Sequence, residues 1–191
     1  DEGLNNLKAQ IKILDKKDLI VMSKTGSGKT GAFGIPILQS IESDERFPKA
    51  LILTPTRELA VQVEKDMVEM GKYSPIKSTA VYGQHNMNTE IKSLQTGVNL
   101  VVGTPGRVYD HIKRRNFNTS QIEFLVLDEA DRMLDMGFYD QVVQIIKSLP
   151  RQRVTLLFSA TMPPEIQRIC KSYMKDPITI ELETDTMTVD T

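Results

Sequence analysis

The chain has 191 residues, 40% of them hydrophobic, and 24 basic residues against 25 acidic ones. That length fits one domain with a substantial core and leaves no room for a second full domain. A net charge of -1 gives no overall field to draw in nucleic acid, so any polyanion must be held by a local patch.

No apolar run is long enough to span a membrane and Asp1-Glu2-Gly3 has no signal-peptide character, so a soluble cytoplasmic protein with no membrane partner is expected. In chain order, Leu19 to Met22 is the first run of strand length, and the turn Ser23-Lys24-Thr25-Gly26-Ser27-Gly28-Lys29-Thr30 follows it into a helix-like segment. A glycine-rich turn that leaves a strand and opens a helix cradles phosphates: backbone N–H groups converge on the oxygens, and the helix points its positive end at them. Gly26 and Gly28 permit close backbone approach, Lys29 would reach the β- and γ-phosphates, and the Thr30 hydroxyl would ligate Mg²⁺. Ser23 stands where the strict pattern has glycine; the alternative reading is an ordinary Gly/Ser loop with an exposed lysine.

Further strands are expected at Ala50 to Thr54, Thr79 to Tyr82, Leu100 to Gly103, Phe124 to Asp128, Val154 to Ser159 and Ile178 to Leu182. These runs are continuous rather than alternating, which suits strands covered on both faces. Between them Leu59, Val63, Met67 and Met70 form one helical stripe, and Phe138, Val142, Ile145, Ile146 and Leu149 form another. The lone Cys170 lies on a third with Ile166, Ile169, Tyr173 and Met174, which reads as core and excludes an internal disulfide. Alternation of strands and helices predicts an α/β fold, a mostly parallel central sheet with helices on both faces, over residues 17–183. Residues 184–191 have no helical period and read as the start of a linker.

Ligands gather beyond the carboxyl ends of such strands, and the unusual residues sit there. Asp128 ends an apolar strand, and a carboxylate there, beside a phosphate-binding turn, is suited to hold Mg²⁺ largely through water. Glu129 next to it is the candidate base that positions attacking water. The alternative is a helix N-terminal acidic cluster stabilised by the macrodipole.

Asp128-Glu129-Ala130-Asp131 resembles the signature of the DEAD-box RNA helicases, and other strand-end segments resemble that family's motifs in order. Besides the phosphate turn, these are Pro55-Thr56-Arg57-Glu58-Leu59-Ala60, Thr104-Pro105-Gly106-Arg107 and Ser159-Ala160-Thr161. The resemblance implies a RecA-like P-loop domain that uses ATP and Mg²⁺, acts on RNA, and closes against a second RecA-like domain to unwind duplexes. It implies phosphate and nucleotide contacts at Lys24, Thr25, Gly26, Ser27, Gly28, Lys29, Thr30 and Asp131, with Mg²⁺ at Thr30 and Asp128. Lys29, Asp128, Glu129, Ser159 and Thr161 would carry catalysis, the last two pairing with Asp131 to relay closure. RNA phosphates and sugars would meet Thr56, Arg57, Gly83, Thr104, Gly106 and Arg107. No obligate oligomer is expected, and the half alone should hydrolyse ATP very slowly. Gly137-Phe138 and Pro163 resemble bacterial members that act in ribosome assembly.

Two positions depart from the family pattern. Gly83-Gln84 stands where the family has two glycines, and residues 1–16 form an atypical N-terminal segment in which only Gln10 is a candidate for the adenine-reading glutamine. Lys113-Arg114-Arg115 reads as a solvated helix end, and His85 and His111 have no partners at metal spacing. Rival readings are a DNA-directed relative, a nucleotide-gated RNA or protein clamp without productive catalysis, and a small-molecule kinase that would leave the Thr-Pro-Gly-Arg and Pro-Thr-Arg segments without a task.

Overall fold

A computed structural model describes residues 2–24, 29–43 and 47–182. The expected linker at 184–191 and the turn residues Thr25, Gly26, Ser27 and Gly28 lie outside them. Seven strands form one sheet in the order β3-β4-β2-β5-β6-β1-β7, and every neighbouring pair is parallel. They are β1 (Leu19–Ser23), β2 (Ala50–Leu53), β3 (Ser78–Val81), β4 (Leu100–Gly103), β5 (Phe124–Leu127), β6 (Val154–Ser159) and β7 (Ile178–Leu182). All seven fall within one residue of the runs expected for them; β2, β3 and β5 stop one residue earlier, which leaves Thr54, Tyr82 and Asp128 just beyond the sheet, β3 also starts one earlier at Ser78, and β1 runs on to Ser23.

Successive residues of each central strand face opposite layers. Leu51, Leu53, Leu125 and Leu127 join one cluster with Val142, Ile145, Ile166 and Ile169, while Ala50, Ile52, Phe124 and Val126 join another with Phe33, Ile37, Val63 and Met67. The first layer is covered by α5 (Pro105–Lys113), α6 (Ala130–Asp135), α7 (Tyr139–Ser148) and α8 (Pro164–Tyr173), the second by α1 (Glu2–Leu14), α2 (Lys29–Ser40) and α3 (Arg57–Met70). Burial on both faces is why the central strands lack polar alternation; the edge strand β7 departs from that expectation, since Ile178-Thr179-Ile180-Glu181-Leu182 alternates and leaves Thr179 and Glu181 exposed. Cys170 is buried on the stripe of α8, and burial pushes its thiol up, as expected for an inert core sulfur.

Helix α1 occupies the segment that the sequence marks only as atypical. It buries Ala9 and Ile13 and leaves Leu4, Leu7, Ile11 and Leu14 half exposed. Gln10 on it donates from Nε2 to the Gly31 carbonyl at 3.3 Å, tying α1 to the first turn of α2. The remaining helix, α4 (Met87–Gln95), connects β3 to β4 and packs over β3.

The strand order sorts the carboxyl ends into two neighbourhoods. β5, β6 and β1 are adjacent, and they carry Asp128, Ser159 and the start of the phosphate turn. β3, β4 and β2 are adjacent, and they carry Gly83, Thr104 and Thr56. The halves meet where β2 pairs with β5.

Candidate functional site

Lys29 opens α2 and is 6% exposed; its Nζ stands 3.0 Å from Oδ1 of Asp128, a residue with no exposed surface. Oδ2 of Asp128, Oε2 of Glu129 and Oγ of Ser23 are buried without hydrogen-bond partners among the described residues. Burial pushes the Asp128 carboxyl above the usual carboxylate range, against the pull of the Lys29 ammonium. Buried acceptors left open in this way are costly unless something arrives to use them. Hard oxygen donors of this kind suit Mg²⁺, so the residues present fit that ion. Thr30 lies half-buried one residue further along α2, and Lys24 is exposed at the end of β1.

Glu129 has φ 51° and ψ 53°, a left-handed backbone on a side chain with a Cβ. Such a conformation persists only where surrounding structure enforces it, and it is common at functional sites. Here it turns the chain from β5 into α6 and leaves the Glu129 side chain buried beside Asp128, with Arg132 Nη1 3.6 Å from Oε2.

Asp131, Ser159 and Thr161 form a closed set of hydrogen bonds. The Asp131 N–H donates to Ser159 Oγ at 3.2 Å, and Ser159 Oγ donates to the Thr161 carbonyl at 2.7 Å. Asp131 Oδ2 accepts from Thr161 N at 3.1 Å and from Thr161 Oγ1 at 2.9 Å. The end of β6 is thereby fastened to the first turn of α6.

On the other half of the sheet, Thr56 caps α3 by accepting from Leu59 N at 3.2 Å, so its hydroxyl already has a local task. Arg57 is exposed; it pairs with Glu58 at 2.8 Å and donates from Nη1 to Gln84 Oε1 at 2.7 Å. A Cβ on Gly83 would meet nothing within 4 Å, so packing alone does not demand glycine there. Gln84 has φ 65°, the left-handed region in which glycine is comfortable. Thr104 precedes α5 with its side chain making no cap bond, and Gly106 lies in that helix's first turn. Arg107 is turned inward: its side chain is 15% exposed, and Nη1 lies 2.8 Å from Glu90 Oε1.

Glu90 escaped the sequence reading, as did the roles of His85 and His111, both of which bond to it at 2.8 Å. The available signal was its spacing. Met87, Glu90 and Leu94 share one face of α4, so an acid stands where an apolar residue is expected. Lys113 and Arg114 remain at the surface, near Tyr109 and Asp110 respectively, as a solvated helix end should.

The geometry places a buried lysine, paired acids and an ordered hydroxyl set at the ends of β5, β6 and β1, with arginines and open glycine at the ends of β3, β4 and β2. The DEAD/DEAH box helicase family matches this chain over residues 7–169. The chain belongs to that family. It is 50% identical over 170 residues to the ATP-dependent RNA helicase DbpA of Bacillus subtilis, covering 89% of this chain and 36% of that protein. It is 45% identical over 178 residues to the ATP-dependent RNA helicase CshA of Limosilactobacillus reuteri, covering 93% and 36%. A crystal structure of a DEAD box protein from Methanococcus jannaschii superposes with a TM-score of 0.89 at 38% identity, over 94% of this chain and 49% of that one. The RecA-like α/β fold is thus shown, and this DEAD-box chain spans about a third of the length of the curated relatives it matches. No helix among the described residues is long and apolar enough to cross a membrane.

Proposed function

We propose that this chain is the ATP-binding half of a cytoplasmic RNA helicase, holding Mg-ATP at the ends of β5, β6 and β1 and RNA at the ends of β3, β4 and β2. The observation that carries the reading is the buried Lys29–Asp128 pair beside Glu129, with Asp128 Oδ2 and Glu129 Oε2 buried and lacking a hydrogen-bond partner among the described residues. Lys24, Thr25, Gly26, Ser27 and Gly28 would cradle the phosphates through their backbone, Lys29 would neutralise the transferring end, and Thr30 and Asp128 are the residues that would hold the metal. A bound magnesium ion supplies charge neutralisation on the phosphoryl oxygens. Glu129 orients the attacking water and accepts its proton; its fixed backbone keeps the carboxylate from drifting. The Asp131, Ser159 and Thr161 bonds transmit the state of this site toward the second domain.

RNA meets Thr56, Arg57, Gly83, Thr104 and Gly106 through phosphate and sugar, and Arg107 serves the same surface. A few oriented donors suffice to hold a backbone without reading bases, which agrees with the balanced net charge. The family resemblance implies an arginine finger supplied by a second RecA-like domain, and such a residue contributes about 10³ to 10⁵ in rate. The chain alone therefore binds nucleotide and RNA weakly, turns ATP over very slowly, and does not unwind a duplex. Phosphate release should rise when a second RecA-like domain is joined to it. Glu129→Gln should then abolish turnover while leaving the affinity for a fluorescent ATP analogue intact. Brisk RNA-stimulated turnover by this chain alone, or an active Glu129→Gln protein, would refute the proposal.

A further inference from the structure

Helix α4 buries one residue among those described, and it is an acid. Four donors from separated parts of the chain converge on the Glu90 carboxylate. The Tyr82 N–H at the end of β3 and Nδ1 of His85 reach Oε2 at 2.9 and 2.8 Å. Nη1 of Arg107 and Nε2 of His111 reach Oε1, both at 2.8 Å. Arg107 Nη1 also donates to the His85 carbonyl at 3.0 Å. Asn116 Nδ2 lies 3.2 Å from His111 Nδ1, which leaves Nε2 of that ring as the donor to Glu90. His85 is fixed a second time by stacking on Tyr82, with ring centroids 4.7 Å apart. Burial pushes the Glu90 carboxyl up, yet the bonds from His111, Tyr82, His85 and Arg107 together hold it below the usual glutamate value.

We propose that Glu90 is a positioning residue for RNA binding and that Arg107 acts as its brace rather than as a phosphate contact. The proposal rests on the RNA reading above. Its force comes from what the cluster joins: the turn holding Gly83 and the first turn of α5 holding Thr104 and Gly106 are fastened to one carboxylate. A nucleic-acid backbone presents phosphates at set intervals, so donors on two loops must be held at a matching interval before it arrives. Arg107 is poorly placed to be such a donor. Its side chain is 15% exposed against 53% for Arg57, and its charge is already compensated by Glu90. Removing a cation that neutralises one phosphate of a single strand lowers the slope of log affinity against log salt by about 0.7, whereas removing a brace leaves the slope alone.

The test is fluorescence anisotropy of a labelled single-stranded RNA with the 191-residue chain over a range of salt, with fluorescent ATP analogue binding as the check on folding. In Glu90→Gln one amide hydrogen faces a donor in either orientation of the amide. Glu90→Gln and Arg107→Ala should each weaken RNA binding about tenfold with the salt slope unchanged and nucleotide affinity intact. The double variant should be no weaker than the worse single one, because both remove the same brace. Arg57→Ala should lose affinity and also lower the slope by about 0.7. An Arg107→Ala slope that falls as the Arg57→Ala slope does, or a Glu90→Gln protein that binds RNA like the parent, overturns the proposal. A parent chain that binds no RNA at any salt refutes the RNA reading itself and this proposal with it.

Discussion

Replacing Glu129 with glycine should make the protein more stable and destroy its proposed chemistry. Glu129 sits at φ 51° and ψ 53°, and a left-handed conformation costs a residue with a Cβ about 1–2 kcal/mol. Its Oε2 is buried without a hydrogen-bond partner among the described residues, and a buried polar atom left open costs about 1–3 kcal/mol more. Glycine removes both costs, and the greater freedom of the unfolded chain takes back about 0.5–1 kcal/mol. The net gain is about 1–4 kcal/mol, which for a chain of this size raises the melting temperature by about 3–10 °C. Glu129→Gln separates the two sources, because it discharges the carboxylate and keeps the strained backbone; its gain should be the smaller. Thermal unfolding by circular dichroism reads the stability, and phosphate release from the chain joined to a second domain reads the activity. A Glu129→Gly protein that melts below the parent would refute the claim that stability is given up at this position for the sake of the site.

Gln84→Gly should stabilise the fold by about 1 kcal/mol in urea titrations, since φ 65° suits glycine, and should strengthen RNA binding by releasing Arg57 from Gln84 Oε1. Gly103→Ala should cost about 3 kcal/mol or more in the same titrations, because a Cβ there would stand 2.5 Å from Val108 Cγ2 and 2.6 Å from the Val81 carbonyl oxygen. Glu90 makes a signed prediction for acid unfolding. Its folded carboxyl lies below the ordinary 4.5, so the stability it contributes is present above that value and is lost as pH falls through the lowered one. Glu90→Gln should therefore flatten the fall in stability below roughly pH 5, and an unchanged acid limb would contradict it.

The sheet was legible because a parallel strand buried on both faces must be apolar throughout, and Phe124-Leu125-Val126-Leu127 or Leu51-Ile52-Leu53 admit little else. The acids at 128, 129 and 131 were legible because charged residues ending such runs have nowhere to go except a strand-end site. Helix α1 was not, since among its described residues only Ala9 and Ile13 are buried and its leucines are half exposed, which blurs the apolar face that marks a helix. Glu90 was not, because its partners lie 5, 8, 17 and 21 residues away, and only the folded chain gathers them. For the same reason the sequence groups Arg107 with the RNA contacts although its side chain is turned inward onto Glu90. The left-handed backbone at Glu129 and Gln84 has no composition signature, since neither residue type calls for it.

Division of the strand ends between two ligands is the claim on which the rest depends, and amide chemical-shift mapping of this 21.5 kDa chain tests it most directly. A nonhydrolysable ATP analogue with magnesium should shift the amides of Lys29, Thr30, Glu129, Asp131 and Thr161, while a single-stranded RNA should shift those of Arg57, Gly83, Thr104 and Gly106. Analogue-induced shifts confined to the β3, β4 and β2 ends, or RNA shifts centred on Lys29 and Glu129, would contradict the account.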